Sequence, residues 1–179
     1  MIYDLVVMNS GNWMTPGFRR LLIVCLVLLP CVGCDQVAKV TARHYLSEAS
    51  IDYLSGLLRL QYVENSGAFL SAGANLSDSG RFWIFTIFTG LGLAGLLLYV
   101  ATARKLQSMH VIALSFMIGG GAGNLLDRIF NHGAVIDFLN LGVGTLRTGV
   151  FNAADMEIVA GITLLLLQSL LPKNHLPLE

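Results

Sequence analysis

The chain has 179 residues, of which 55% are hydrophobic and 12% charged, and its formal net charge is zero. Soluble domains carry roughly 25% charged residues, so this composition, with a mean hydropathy of +0.69, excludes an ordinary soluble protein and points to an integral membrane protein. No dense Lys/Arg block occurs, which also removes a nucleic-acid-binding surface.

Residues 1 to 16 show no clear period and receive no element. Arg19 and Arg20 precede the apolar run LLIVCLVLLPCVGCDQVAKV, close to the roughly 20 residues that cross a bilayer, so a first spanning helix is expected over about 20–40. Two arginines, an apolar run and CVGCD also fit a secretory signal ending in a lipid-modification box at Cys34. Cys31 stands where such a box has an aliphatic residue, and three further apolar runs follow, so an uncleaved helix is preferred. Cys25, Cys31 and Cys34 are odd in number, with no second cluster to bind zinc with, and are read as buried bystanders. Asp35 and Lys39 are four apart and fall on one helix face, where they can pair.

From about 44 to 80 the chain is polar and mixed. Leu58, Leu60 and Tyr62 alternate with Arg59 and Gln61, the period of a half-buried strand. Asn65-Ser66-Gly67 then supplies turn chemistry, and a flexible loop, SAGANLSDSG, is expected to follow a small surface sheet. The second helix, 82–103, has no charge through its apolar core, and Gly90, Gly92, Ala94 and Gly95 are positioned to admit a neighbouring helix.

A third helix is expected over 109–127. Its GGGAG has no following Lys-Ser/Thr and no preceding strand, so it is no phosphate cradle but a site of tight helix contact. A second extramembrane stretch fills 129–152, and a fourth helix 154–171. With four spans both termini share a side, which Arg19, Arg20, Arg104, Lys105 and Lys173 mark as cytoplasmic by the positive-inside tendency.

The chemistry should lie between Gly119 and Asp155. A charge at a helix centre in hydrocarbon costs about 2.5–3.5 kcal/mol on insertion scales, which singles out Asp127, Asp137 and Asp155. No G-x-S-x-G elbow or H-E-x-x-H zinc motif occurs, and His44, His110, His132 and His175 are scattered. Paired carboxylates remain: two held close share one proton and can divide general acid and base between them. Spacing does not say which aspartates meet. Asp137 and Asp155 should sit at one membrane depth, while Asp127 beside Arg128 reads as a neutralised structural pair. Helix capping, ion pairing and a small proton-relay or transport protein all stay open at this point, although no internal repeat supports a transporter.

Five ordered pieces now add a resemblance: Asp35 with Lys39, Asn65-Ser66-Gly67-Ala68-Phe69, Gly123-Asn124-Leu125-Leu126-Asp127-Arg128, Val135-Ile136-Asp137-Phe138 and Phe151-Asn152-Ala153-Ala154-Asp155. Together they resemble the bacterial lipoprotein signal peptidases, the signal peptidase II family. The resemblance implies an all-α integral membrane fold in one domain spanning 1–179. It would have four transmembrane helices, a small extramembrane β-sheet forming a cradle, and a periplasmic loop or helix. It implies a metal- and cofactor-independent aspartic endopeptidase that cleaves prolipoproteins before a diacylglyceryl-modified Cys.

Asp137 and Asp155 would be the catalytic dyad. Asn65, Gly67, Asn124 and Arg128 would bind substrate, and Asp35, Lys39, Asp127 and Asn152 would support them. The loop after Phe69 would act as a lid. The implied setting is the bacterial inner membrane, with the site at the periplasmic face, lipid and lipidated precursor as partners, and a monomeric chain. A non-catalytic or inhibitor-resistance paralogue is the other reading. Glu157, a third carboxylate two residues beyond Asp155, is expected to face away from the dyad.

Overall fold

The computed structural model describes residues 15–67, 73, 75–103 and 106–170. The segment before Thr15, Phe69 and residues 71, 72 and 74 of the expected SAGANLSDSG loop, the Arg104-Lys105 turn and Lys173 lie outside the described residues.

Among the described residues, four helices are long and apolar enough to cross a membrane: Gly17–Leu46, Asp78–Thr102, Ser108–Phe130 and Ala153–Leu170. They are α1 (Pro16–Leu46), α2 (Asp78–Thr102), α3 (Ser108–Phe130) and α4 (Ala153–Leu170). The chain is a multi-pass membrane protein with a small antiparallel sheet, of strands β1 (Ile51–Tyr53), β2 (Leu58–Asn65), β3 (Val135–Val143) and β4 (Leu146–Arg147) in the order β1-β2-β3-β4.

Helix α1 outruns its expected end near residue 40 because Lys39, which looks like a helix-terminal charge, is 1% exposed and paired inside the bundle. The extra turns carry Ala42 and Leu46, which pack with Phe138 beneath the sheet. A second core, Val24, Val100, Val111 and Ile118, fills the other end of the bundle. The helix runs unbroken through Cys34, and the cysteines correct the reading of buried bystanders: Cys31 is buried, but Cys25 and Cys34 are exposed on the helix surface.

Strand β2 forms where the alternating pattern predicts it and continues to Asn65, which closes an Asx turn by accepting the Gly67 N–H at 3.0 Å. It pairs with β3 so that Val63 stands opposite Asp137 and Asn65 opposite Val135, with an irregularity between Leu60 and Val63. The stretch 129–152, expected outside the membrane, therefore carries both β3 and β4, which the short apolar run Val135-Ile136 did not reveal by itself.

Helix α2 starts four residues before its apolar run, capped by the Ser77 hydroxyl, which accepts the Gly80 N–H at 3.2 Å. After that α-helical turn the helix is π-helical over Phe82–Phe88, and Thr86 in this stretch is buried. Of the small residues of α2, Gly92 and Gly95 face open space and Gly90 faces α3 only at ordinary contact distance. Side chains added at Gly92 or Gly95 would meet nothing within 4 Å, and one at Gly90 would meet only Leu125, at 3.6 Å.

The close approach lies instead between α3 and α4. A Cβ on Gly120 would overlap the Ala154 carbonyl, and one on Gly161 would press on Met117 Cγ at 2.6 Å. The glycine run thus serves helix contact, as expected for α3, and it carries the start of α4 against the middle of the bundle.

Candidate active site

The start of α4 follows from a cap. Asn152 Oδ1 accepts the Asp155 N–H at 2.9 Å, and Asp155 Oδ2 accepts the Asn152 N–H at 3.2 Å. This is a reciprocal capping box with Asp in its third helical position, so Asp155 lies over the positive end of the helix dipole. Its other oxygen, Oδ1, accepts from Asn124 Nδ2 at 2.9 Å.

Asp137 comes from β3, in the middle of a buried run. Its Oδ2 accepts from Asn65 Nδ2 at 2.9 Å and its Oδ1 from Asn152 Nδ2 at 2.7 Å. Asn152, fully buried, therefore bonds both aspartates, one by its side-chain amide and the other by its backbone. Burial pushes the Asp137 carboxyl up to about 6; the Asp155 charge adds to the rise, and the Asn65 and Asn152 donors oppose it.

Beneath lies a buried ionic cluster. Lys39 Nζ is 2.8 Å from Asp35 Oδ2 and 2.9 Å from Asp127 Oδ2, and it donates to Asn124 Oδ1 at 2.8 Å. Each carboxylate also fixes a backbone. Asp35 Oδ1 accepts the Ala154 N–H at 3.0 Å, and Asp127 Oδ2 accepts the Ile136 N–H at 2.9 Å. The segments that carry Asp155 and Asp137 are thus both tethered to one lysine on α1. Asn124 Oδ1 also accepts from Asn152 Nδ2 at 3.0 Å, so Asn124 links the cluster to both aspartates.

Asp127 and Arg128 do not pair, against the expectation. Successive helix residues point in different directions, so Asp127 turns to Lys39 while Arg128 Nη2 donates to the Gly67 carbonyl at 2.9 Å and its guanidinium stands 5.6 Å over the Phe85 ring. All ten residues singled out from the sequence converge. Glu157 faces the other way: its Oε2 lies 3.8 Å from where a Cβ on Gly119 would stand.

Sequence reasoning missed Gln36 and Phe85. Gln36 Nε2 donates to Asp127 Oδ1 at 2.9 Å and to the Gly123 carbonyl at 3.2 Å; its polarity beside Asp35 in an apolar run was the available signal. Phe85 had none, because its role depends on the π-helical stretch of α2. Gly123 is required by contact: a Cβ there would sit 2.6 Å from Asp35 Oδ2.

Among the described residues no group of three or more His, Cys, Asp or Glu side chains is arranged to hold a metal ion. The arrangement offers instead two carboxyl groups in distinct surroundings, fixed amide donors around them and an arginine at the edge.

Residues 26–171 match the family described as Signal peptidase (SPase) II. The lipoprotein signal peptidase of Photorhabdus laumondii is 36% identical over 162 residues, covering 89% of this chain and 92% of its own. That of Geobacillus thermodenitrificans is 33% identical over 150 residues, covering 83% and 89%. A bacterial membrane enzyme solved at 2.3 Å superposes with a TM-score of 0.69 at 26% identity, covering 82% of this chain and 87% of that one. A second, solved at 1.9 Å, shares the fold with the same TM-score at 24% identity, covering 82% and 92%.

Proposed function

The chain belongs to the signal peptidase II family, the lipoprotein signal peptidases, and from that membership we propose that it is a metal-independent aspartic endopeptidase with Asp137 and Asp155 as its dyad. Its substrate is a prolipoprotein whose Cys carries diacylglycerol, and the bond cut is the one before that Cys. The observation that carries this reading is the Asn152 bridge, which bonds both carboxyl groups at once.

The two carboxyls have different tasks. Asp155 accepts N–H donors from Asn124 and from the start of α4, an environment suited to an anion, and it takes a proton from the attacking water. Asp137, pushed up to about 6, holds a proton and gives it to the scissile carbonyl oxygen as the tetrahedral centre forms. Asp155 then passes its proton to the leaving nitrogen while the new hydroxyl of the tetrahedral centre returns one to Asp137, so that the C–N bond breaks, the signal peptide is freed and the pair is reset. Arg128 and Asn65, at the edge of the pair, hold the substrate backbone.

A lipid-bearing thioether stays in the membrane while its peptide bond meets water, so the site belongs at the interface. Both termini lie in the cytoplasm, the dyad faces the periplasm across the inner membrane, and the chain acts as a monomeric single domain. The testing experiment is incubation of purified protein in detergent with a diacylglyceryl-modified precursor, read as a gel mobility shift. Cleavage by the wild type and none by Asp137→Asn supports the reading; equal cleavage by both, or none by either, rejects it.

A further inference from the structure

Resting on that peptidase reading, the substrate's hydrocarbon must leave within a few bonds of the dyad, because the lipid is attached to the residue next to the cut bond. A groove of about 450 Å³ opens beside Asp155. Leu141, Thr148 and Phe151 line it from the β3–β4 side, and Met156, Val159 and Ala160 line it from α4. The last three are spaced by three and four residues, so they share one helix face, and their wall runs from the carboxylate down the span.

The sheet side of the groove is preformed. Thr148 N donates to the Leu141 carbonyl at 2.7 Å and the Leu141 N–H donates to Thr148 Oγ1 at 3.0 Å, which occupies the polar groups there. Arg147 Nη1 fastens the same hairpin to the Gly56 carbonyl at 2.8 Å. Two other cavities lack this combination. One of about 270 Å³ is lined by Arg81, Arg128 and His132, and one of about 240 Å³ lies at the opposite end near Arg20 and Leu97.

We propose that this groove seats an acyl chain of the diacylglyceryl group on the substrate cysteine and so aligns the adjacent peptide bond with Asp155 and Asp137. Bilayer hydrocarbon is as apolar as the groove, so seating the chain adds little affinity. It restricts orientation instead, and the benefit appears in kcat.

The test compares two precursors that differ only in carrying palmitoyl or butanoyl chains. In Val159→Trp and Ala160→Phe the ratio of kcat for palmitoyl over butanoyl substrate falls about tenfold. Leu98→Trp, on the exposed face of α2 away from the site, keeps the wild-type ratio. An unchanged ratio in both groove variants, or the same fall in Leu98→Trp, overturns the proposal. A wild type that cleaves neither precursor rejects the peptidase reading itself, an outcome distinct from intact cleavage with an unaltered ratio.

A second arm uses the unmodified protein and an uncleavable precursor with a photoreactive group at its acyl terminus. Labelling within residues 156–160 supports the assignment. Labelling of other helices overturns it, as does labelling of 156–160 from a photoreactive signal helix but not from the acyl chain.

Discussion

Asn152 and Asp155 hold each other twice, side-chain oxygen to backbone N–H in both directions, at 2.9 and 3.2 Å. The spare amide hydrogens of Asn152 reach Asp137 Oδ1 at 2.7 Å. Helix initiation and dyad assembly are therefore one structural event. Asn152→Ala should cost about 0.5–2 kcal/mol as a lost cap, and about 100-fold in kcat/KM because the carboxyls are no longer registered. A melt in detergent beside a cleavage assay separates the two, and a variant that is destabilised yet fully active would show that the bridge serves the fold alone.

Asp137→Asn and Asp155→Asn should each abolish cleavage, since each removes one partner in proton transfer. For Asp137→Asn the fold should survive. The rise from 3.8 to about 6 means that the ionised, 2% exposed carboxylate costs about 3 kcal/mol. Its removal offsets the about 1–3 kcal/mol lost where the new amide meets a donor from Asn65 or Asn152. Detectable turnover in either variant would exclude the dyad.

The pH dependence follows from the same shift. An unfolded chain ionises Asp137 near 3.8 and the folded protein near about 6, so between these values the folded form holds the extra proton. Stability contributed by this group is thus full below 3.8 and lost as pH rises towards 6. Activity through protonated Asp137 should likewise decline above about 6, approaching tenfold per pH unit. A kcat/KM profile flat from pH 5 to 8 would contradict the assignment of Asp137 as the acid.

Lys39 balances two carboxylates inside the bundle. Lys39→Met leaves Asp35 and Asp127 buried without their cation and should cost at least about 3–5 kcal/mol. Asp127→Asn leaves Lys39 its Asp35 partner, so its loss should be smaller while still exceeding that of a surface change. Melting both variants in one detergent gives the order directly; a Lys39→Met protein as stable as the wild type would contradict the cluster's structural role.

Gly123→Ala tests the packing of the cluster. The added methyl would stand 2.6 Å from Asp35 Oδ2, and Asp35 cannot retreat without releasing Lys39 or the Ala154 N–H. Overpacking of this kind costs about 1–3 kcal/mol, and the displaced α4 start should lower activity as well. Gly92→Ala, with open space around it, should change neither stability nor cleavage.

The sequence by itself determined that this chain enters a membrane, where its apolar runs begin, that β2 is a strand, and that Asp127, Asp137 and Asp155 are under constraint, whereas Asn65, Asn124 and Asn152 came forward only through the resemblance to the signal peptidase II family. Apolarity, alternation and the cost of a charge in hydrocarbon are properties of single positions and short windows, so they can be read along a line. Its errors arose where a charge had a distant partner. Helices α1 and α3 run past Lys39 and Asp127 because each neutralises the other, and Arg128 turns to Gly67 instead of its neighbour Asp127.

Only the tertiary structure decided which groups meet. The Asp35 bond to Ala154 spans 119 positions and the Lys39 bond to Asn124 spans 85. The second joins α1 to α3, where Gly119 and Gly123 face Cys31 and Asp35, and the first forms only because the glycines of α3 let α4 approach its backbone. That approach fixes Asn152 against both carboxyls, because a hydrogen bond depends on distance and direction in three dimensions, which no local pattern of residues encodes.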